Sequence, residues 1–249
     1  MWKYISKLAV FLMLLGLALP AWAYNNADLA NVENGADCPN GDLSGADLSG
    51  LDLTGRDFTG ANFREARLHG TKLNKATLNG ANFHGALLGK AQLRNAELAQ
   101  ADFSYASMQE ADLTNSNLQG ANLTRAQMHK VQLLNANLQQ VHGDEAIMSE
   151  IKGDFVDFTG ANLPNCWLNG AMLKDSIFRG ANLTGARLKN ATLKEADLRN
   201  AQLAGVDFSG ASLQRADLDG ANLRRAILVG ASLNFTIYGN AIQDEIKWE

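Results

Sequence analysis

Cysteine, histidine, basic excess and long apolar runs are all scarce in this chain, and each scarcity closes a class of function. Cys38 and Cys166 are its only cysteines, and its four histidines, His69, His84, His129 and His142, show no close ligand spacing. No metal site is therefore expected. Serines and threonines lack a glycine-flanked nucleophile turn, and the histidines are too scattered to serve them as bases. No catalytic residue and no cofactor-binding residue is named, and the chain reads as non-enzymatic. With 22 Lys and Arg against 26 Asp and Glu, there is no polybasic surface for nucleic acid and no patch for anionic membranes.

The one apolar run, Leu8 to Leu19, is 12 residues long, too short for a stable bilayer-spanning helix. Lys3 and Lys7 precede it, and Pro20 and Ala21-Trp22-Ala23 follow. That order of charged, apolar and A-x-A segments is a secretory signal, residues 1–23, cleaved after Ala23. The expected location is periplasmic or secreted, with no stable membrane anchor after cleavage. The mature chain keeps 20 basic against 26 acidic residues, a net charge of −6 with both signs interspersed.

What is abundant is a five-residue rhythm. From Gly180 to Leu203 leucine falls at 183, 188, 193, 198 and 203, each two residues after an alanine. A period of five spirals around a helix and alternates sides on a straight strand. Only a chain that turns by a constant amount every five residues keeps all the leucines inside. A second period gives the size of the coil: Gly-Ala-Asn-Leu/Phe recurs at Gly60, Gly80, Gly120, Gly160, Gly180 and Gly220, always at multiples of 20. Four units therefore make one turn of a solenoid.

Units such as Ala46-Asp47-Leu48-Ser49-Gly50 and Ala121-Asn122-Leu123-Thr124-Arg125 resemble the pentapeptide-repeat family. The resemblance implies an all-β fold, a right-handed quadrilateral β-helix of about ten coils. One register from Leu43 to Tyr238 counts 40 units, with leucine at 27 central positions and alanine at 27 positions two before, so the likeness extends over nearly the whole chain after residue 40. At roughly 4.8 Å per stacked strand, ten coils make a rod on the order of 50 Å long. The register turns the histidines outward on different walls or distant coils. It turns both cysteines inward about six coils apart, too far for a bridge.

Residues 24–40 read as a loose lead-in and partial cap, with the first coil starting near Ala36-Asp37-Cys38. The solenoid runs over 41–240. Arg56 is a charge at an alanine position near the amino-terminal end, where its head can reach solvent. Residues 141–155 are degenerate, since Gly143 and Gly153 replace leucine; the stretch is either a degenerate coil with a bulged wall, the favoured form, or a loop. Residues 241–249 depart from the repeat. Ile242 and Ile246, four apart, suit a short helical cap over the last coil.

Two outward features stand out. Asn62, Asn82, Asp102, Asn122, Asn162, Asn182, Gln202 and Asn222 form a ladder on one wall, read as structural because stacked amides bond one another. Ile147, Phe155, Trp167, Met172 and Ile177 put apolar groups at outward positions. They are either covered by the irregular segment or exposed as a partner surface. The expected function is an exported structural or protein-interaction module for an unidentified protein or cell-envelope component, with no nucleic-acid partner. The resemblance adds two expectations: pairing of two copies through the carboxyl-terminal ends, and, as the alternative function, a DNA-mimicking inhibitor or protector of type II topoisomerase. Interspersed lysines and arginines and export both weigh against the second.

Overall fold

The computed structural model describes residues 25–248; the secretory signal expected over 1–23 lies outside them. The chain winds as the four-walled, right-handed β-helix that the resemblance implies. Each coil takes 20 residues, and a residue on every wall pairs in parallel with the one 20 later, from Asp42 with Asn62 to Ile227 with Lys247. Pairing is confined to one residue per wall in each coil. The walls are too short for longer strands, because a corner follows every five residues. Walls are named here by their pairing residues: wall 1 carries 42, 62 and so on, wall 2 carries 47, 67, wall 3 carries 52, 72, and wall 4 carries 57, 77.

The corner explains the unit. The alanine N–H donates to the carbonyl of the leucine three residues back, as Ala46 does to Leu43 at 3.1 Å. The residue before the alanine has positive φ, the pattern of a type II turn. Where that residue is not glycine, φ still lies between 55° and 62°, as at Gln100, Tyr105 and Asn165; the exception is the corner before Ala241, where Gly239 and not Asn240 takes the positive φ. From 40 to 245 no Val, Ile or Thr stands at this position, since a β-branched side chain fits left-handed backbone worst. Axial bonds then join the coils: Leu43 N–H donates to the Asn62 carbonyl at 2.8 Å, and Asn62 N–H to the Gly41 carbonyl at 2.8 Å.

Leucine and alanine fill the interior, with two aromatic columns among them. Phe63, Phe83 and Phe103 stack at 4.8 and 4.7 Å, and Phe158 and Phe178 at 4.7 Å. The spacing is the coil repeat itself. Hydroxyls at alanine positions find carbonyls, Thr71 Oγ1 donating to Leu48 and Ser176 Oγ to Gly153, both at 2.8 Å. Cys38 and Cys166 are free and buried, and burial pushes the Cys166 thiol well above its usual range.

Three segments differ from the sequence expectation. Residues 26–40 are not a loose lead-in: α1, Asn26–Glu33, is an eight-residue helix with Asn25 as N-cap. Asp28 accepts the Asp42 N–H at 2.8 Å, and Val32 enters the core. Arg56 does not send its head to solvent. Its guanidinium donates to the Val32 carbonyl at 2.7 Å and the Ala36 carbonyl at 3.3 Å, so the odd charge at an alanine position latches α1 over the first coil. Arg56→Ala should therefore lower stability by about 1 to 3 kcal/mol and speed amide exchange in α1 before the rod, as read by hydrogen exchange.

Residues 141–155 form a coil in full register, with no bulge and no excursion: His142, Ile147, Lys152 and Asp157 all pair above and below. Leucine is missing at Gly143 because the next coil fills the space, a Cβ there falling 2.7 Å from Leu163 Cδ2. Restoring the consensus with Gly143→Leu should destabilise the protein by about 1 to 3 kcal/mol through overpacking, as chemical denaturation would show. Residues 241–248 are likewise no helix. Ala241 and Ile246 continue the alanine positions, and Ile242 and Lys247 pair on walls 1 and 2.

Candidate functional site

Most of the outer surface is occupied by its own bonding. On wall 1 the amide ladder is spent internally, Asn62 donating to Asp42 and Asn122 to Asp102 at 2.9 Å, and Asn182 to Asn162 at 2.8 Å. On wall 4 Asp197 binds Arg199 at 2.7 Å and also Arg179. Burial raises its pKa, but the hydrogen bonds from Arg199 and Arg179 outweigh it and hold the carboxyl at about 2. A depressed folded-state value stabilises above the unfolded pKa and is lost as pH falls through the folded one. Asp197→Asn should thus cost about 1 kcal/mol at neutral pH, solvent screening the exposed guanidiniums, and flatten the fall of stability between about pH 4 and pH 2, read from denaturation at each pH.

The five outward apolar residues do not form one patch. Ile147 and Trp167 are paired neighbours on wall 2, Met172 is on wall 3 and Ile177 on wall 4. Phe155 stands at the corner between walls 3 and 4, where its backbone is left-handed. Each step of five residues turns a corner, so 167, 172 and 177 face three directions. Phe155, Trp167 and Met172 are exposed, while Ile147 and Ile177 are half-buried. The irregular segment covers none of them, being itself a coil.

What gathers around Trp167 comes instead from 20 residues away. Arg187, one coil up on wall 2, lies over the indole at 4.6 Å, a cation–π contact. Ile147 stands one coil down. Along the adjacent corner, between walls 1 and 2, rise Tyr105, Arg125, Glu145, Asn165 and Gly185. Arg125 Nε donates to Glu145 at 2.7 Å and Nη1 to the Tyr105 hydroxyl at 3.3 Å; Glu145 first, then Tyr105, raise its already high pKa. Asn165 donates to Asp144 at 3.2 Å. Beyond Asn165 the corner is bare at Gly185 and Gly205. These side chains, with Gln127, enclose an open groove of about 630 Å³ along the rod. A smaller recess of about 390 Å³ on the wall 3 side is lined by Lys130, Glu150 and Met172, and there Lys130 and Glu150 pair at 3.6 Å.

Among the described residues no three His, Cys, Asp or Glu side chains gather as metal ligands. His84 Nδ1 lies 2.8 Å from Ser104 Oγ, but Ser104 is buried and is not part of the groove lining. The groove can bind, by its exposed indole edge, a tyrosine, two guanidiniums and amides. Tyr105 and Arg187 were not singled out by the sequence reading, although residues at 20-residue steps from Trp167 and Arg125 carry the signal.

Comparison with known proteins agrees with this architecture. The description "pentapeptide repeats" matches residues 42–80, 78–115 and 106–142, and "pentapeptide repeat region" matches 154–228. Among solved structures, the chain is similar to HetL, a pentapeptide repeat protein involved in heterocyst differentiation regulation from the cyanobacterium Nostoc. The match has 27% identity and a TM-score of 0.78, covering 88% of this chain and 94% of HetL. A pentapeptide repeat protein from the Arabidopsis thaliana thylakoid lumen matches at 34% identity and a TM-score of 0.39, over 40% of this chain and 69% of that one. QnrB1, a plasmid-mediated fluoroquinolone resistance protein, matches at 15% identity and a TM-score of 0.32, over 83% of this chain and 92% of that one. Among curated proteins no relative matches.

Proposed function

We propose, from the premise that this chain belongs to the pentapeptide-repeat family, that it is an exported, non-enzymatic interaction module whose partner docks in the groove along wall 2. One observation carries the reading: among the described residues the groove brings the exposed side chains of Trp167 and Tyr105 together with Arg187, which no acid engages, and with Gln127. Aromatic and arginine side chains together are the usual anchors of protein interfaces. HetL's involvement in regulation is a role of the kind that contact without turnover can serve. Export rests on the sequence of residues 1–23.

A photo-crosslinking residue placed at Asn165 in the producing cells tests this. A discrete adduct outside the cytoplasm is expected from Asn165 and none from Lys75, on the diagonally opposite corner. Equal adducts from both positions, or none from Asn165, would reject the reading.

The carboxyl end offers a second contact. In the last coil Leu233, Tyr238 and Ile246 are only partly buried and Phe235, Ile237 and Trp248 are exposed. A second copy stacking there would cover them, and Tyr238→Asp should then abolish any dimer seen by sedimentation velocity.

A further inference from the structure

The groove holds one cation that the rest of the molecule leaves unused. The chain has 11 arginines. Arg56 is engaged by carbonyls, and nine others by aspartate or glutamate. Arg187 alone has neither among the described residues, and it lies over Trp167. The nearest acid up the wall, Asp207, is turned away: it accepts from Ser209 Oγ at 2.5 Å and pairs with Lys189 at 3.2 Å. The Gln127 carboxamide, on the same wall, also has no side-chain partner among the described residues. Two coils below Arg187, at the corner, Glu145 neutralises Arg125.

We propose that the groove receives an extended acidic peptide segment of the partner, one carboxylate paired with Arg187 and a neighbouring apolar side chain against the edges of Trp167 and Ile147. The inference names the partner chemistry of the site proposed above and rests on that reading. A planar guanidinium without an acid is a ready two-pronged donor to a carboxylate. A single unpaired cation beside Glu145 suits one carboxylate and not a polyanion. A pyranose ring stacks on an open aromatic face, but Arg187 covers one face of the indole and Ile147 stands on the other side, leaving the edge. From Tyr105 to Gly185 the corner climbs four coils, about 19 Å at 4.8 Å each, the length of roughly six extended residues. The bare corner at Gly185 and the free Gln127 amide let a peptide backbone approach and bond.

The test is selection of a random dodecapeptide phage library on the full chain purified from producing cells, followed by titration of the selected peptides. They should carry Asp or Glu within two residues of an apolar side chain, and their affinity should fall with added salt. Arg187→Gln should weaken binding at least about tenfold, with partial rescue by Arg187→Lys. Gly185→Gln, which fills the groove, should do the same, while Gly205→Gln should not. Selected peptides lacking acid, indifference to Arg187→Gln, no enrichment, or displacement by trigalacturonate would each overturn the inference. Neutral peptides together with an adduct from Asn165 would leave the interaction module standing and remove only the acidic partner; loss of the adduct would remove the module itself.

Discussion

Phe83→Ala is expected to lower the free energy of unfolding by about 3 to 5 kcal/mol, read from denaturant titration of the circular dichroism. Phe83 is fully buried and is the middle ring of a three-ring column, at 4.8 Å from Phe63 and 4.7 Å from Phe103. The cavity cannot collapse, because every wall around it is held by axial backbone bonds to the coils above and below. A solenoid coil also contacts only its neighbours. Weakening the third coil should therefore split the single transition into two, with the amino-terminal coils unfolding apart from the rest. Phe208 is equally buried but stacks on no other ring among the described residues. Phe208→Ala should cost less by about 1 to 3 kcal/mol, the worth of the two aromatic pairs that Phe83 makes, beyond their area. Equal losses would show that the column contributes nothing beyond burial.

Trp167→Ala should leave the fold intact and weaken partner binding by at least about 2 kcal/mol, roughly thirtyfold. The side chain is 40% exposed at an outward position, and only its backbone takes part in the ladder, so truncation opens no interior cavity. Its loss removes both the apolar edge of the groove and the platform that holds Arg187. Met172→Ala and Ile177→Ala should stay within about twofold, since those residues face walls 3 and 4; surface truncations of that kind are usually near neutral. A comparable loss from Met172→Ala would move the interface to the wall 3 side.

The period of five and its doubling to 20 were legible because alanine and leucine repeat at the two positions that must face inward, and the corner tolerates almost any side chain that is not β-branched. The same register holds the placement of the apolar residues, yet closeness in sequence misleads: Trp167, Met172 and Ile177 are five apart, and five residues turn a corner. The true neighbours of Trp167 are Ile147 and Arg187, each 20 away. Arg56 was visible as an exception but not as a latch, because its acceptor lies at the end of α1, outside any repeat. The helix had its own signal in Asn25 as N-cap and in Leu29 and Val32, three apart. Gly143 and Gly153 read as a break because the side chains that fill their space lie elsewhere in the repeat: Leu163 of the next coil for Gly143, and Val156 with Leu173 of the next coil for Gly153.

The claim that the wall 2 groove is the binding site is tested most directly by two glycines one coil apart. Gly185 lines the groove and Gly205 stands just above it, both with left-handed backbone, at φ 70° and 68°. Gln100 and Gln140 occupy the same kind of position elsewhere in the rod; a Cβ at 205 meets nothing within 4 Å, and one at 185 meets only the end of the Asn165 side chain, at 2.7 Å, which turns aside. The measurement is the yield of the Asn165 adduct in Gly185→Gln and Gly205→Gln chains at equal stability. Loss of the adduct in the first and parental yield in the second is the expected result. Equal yields in both would place the partner elsewhere on the rod.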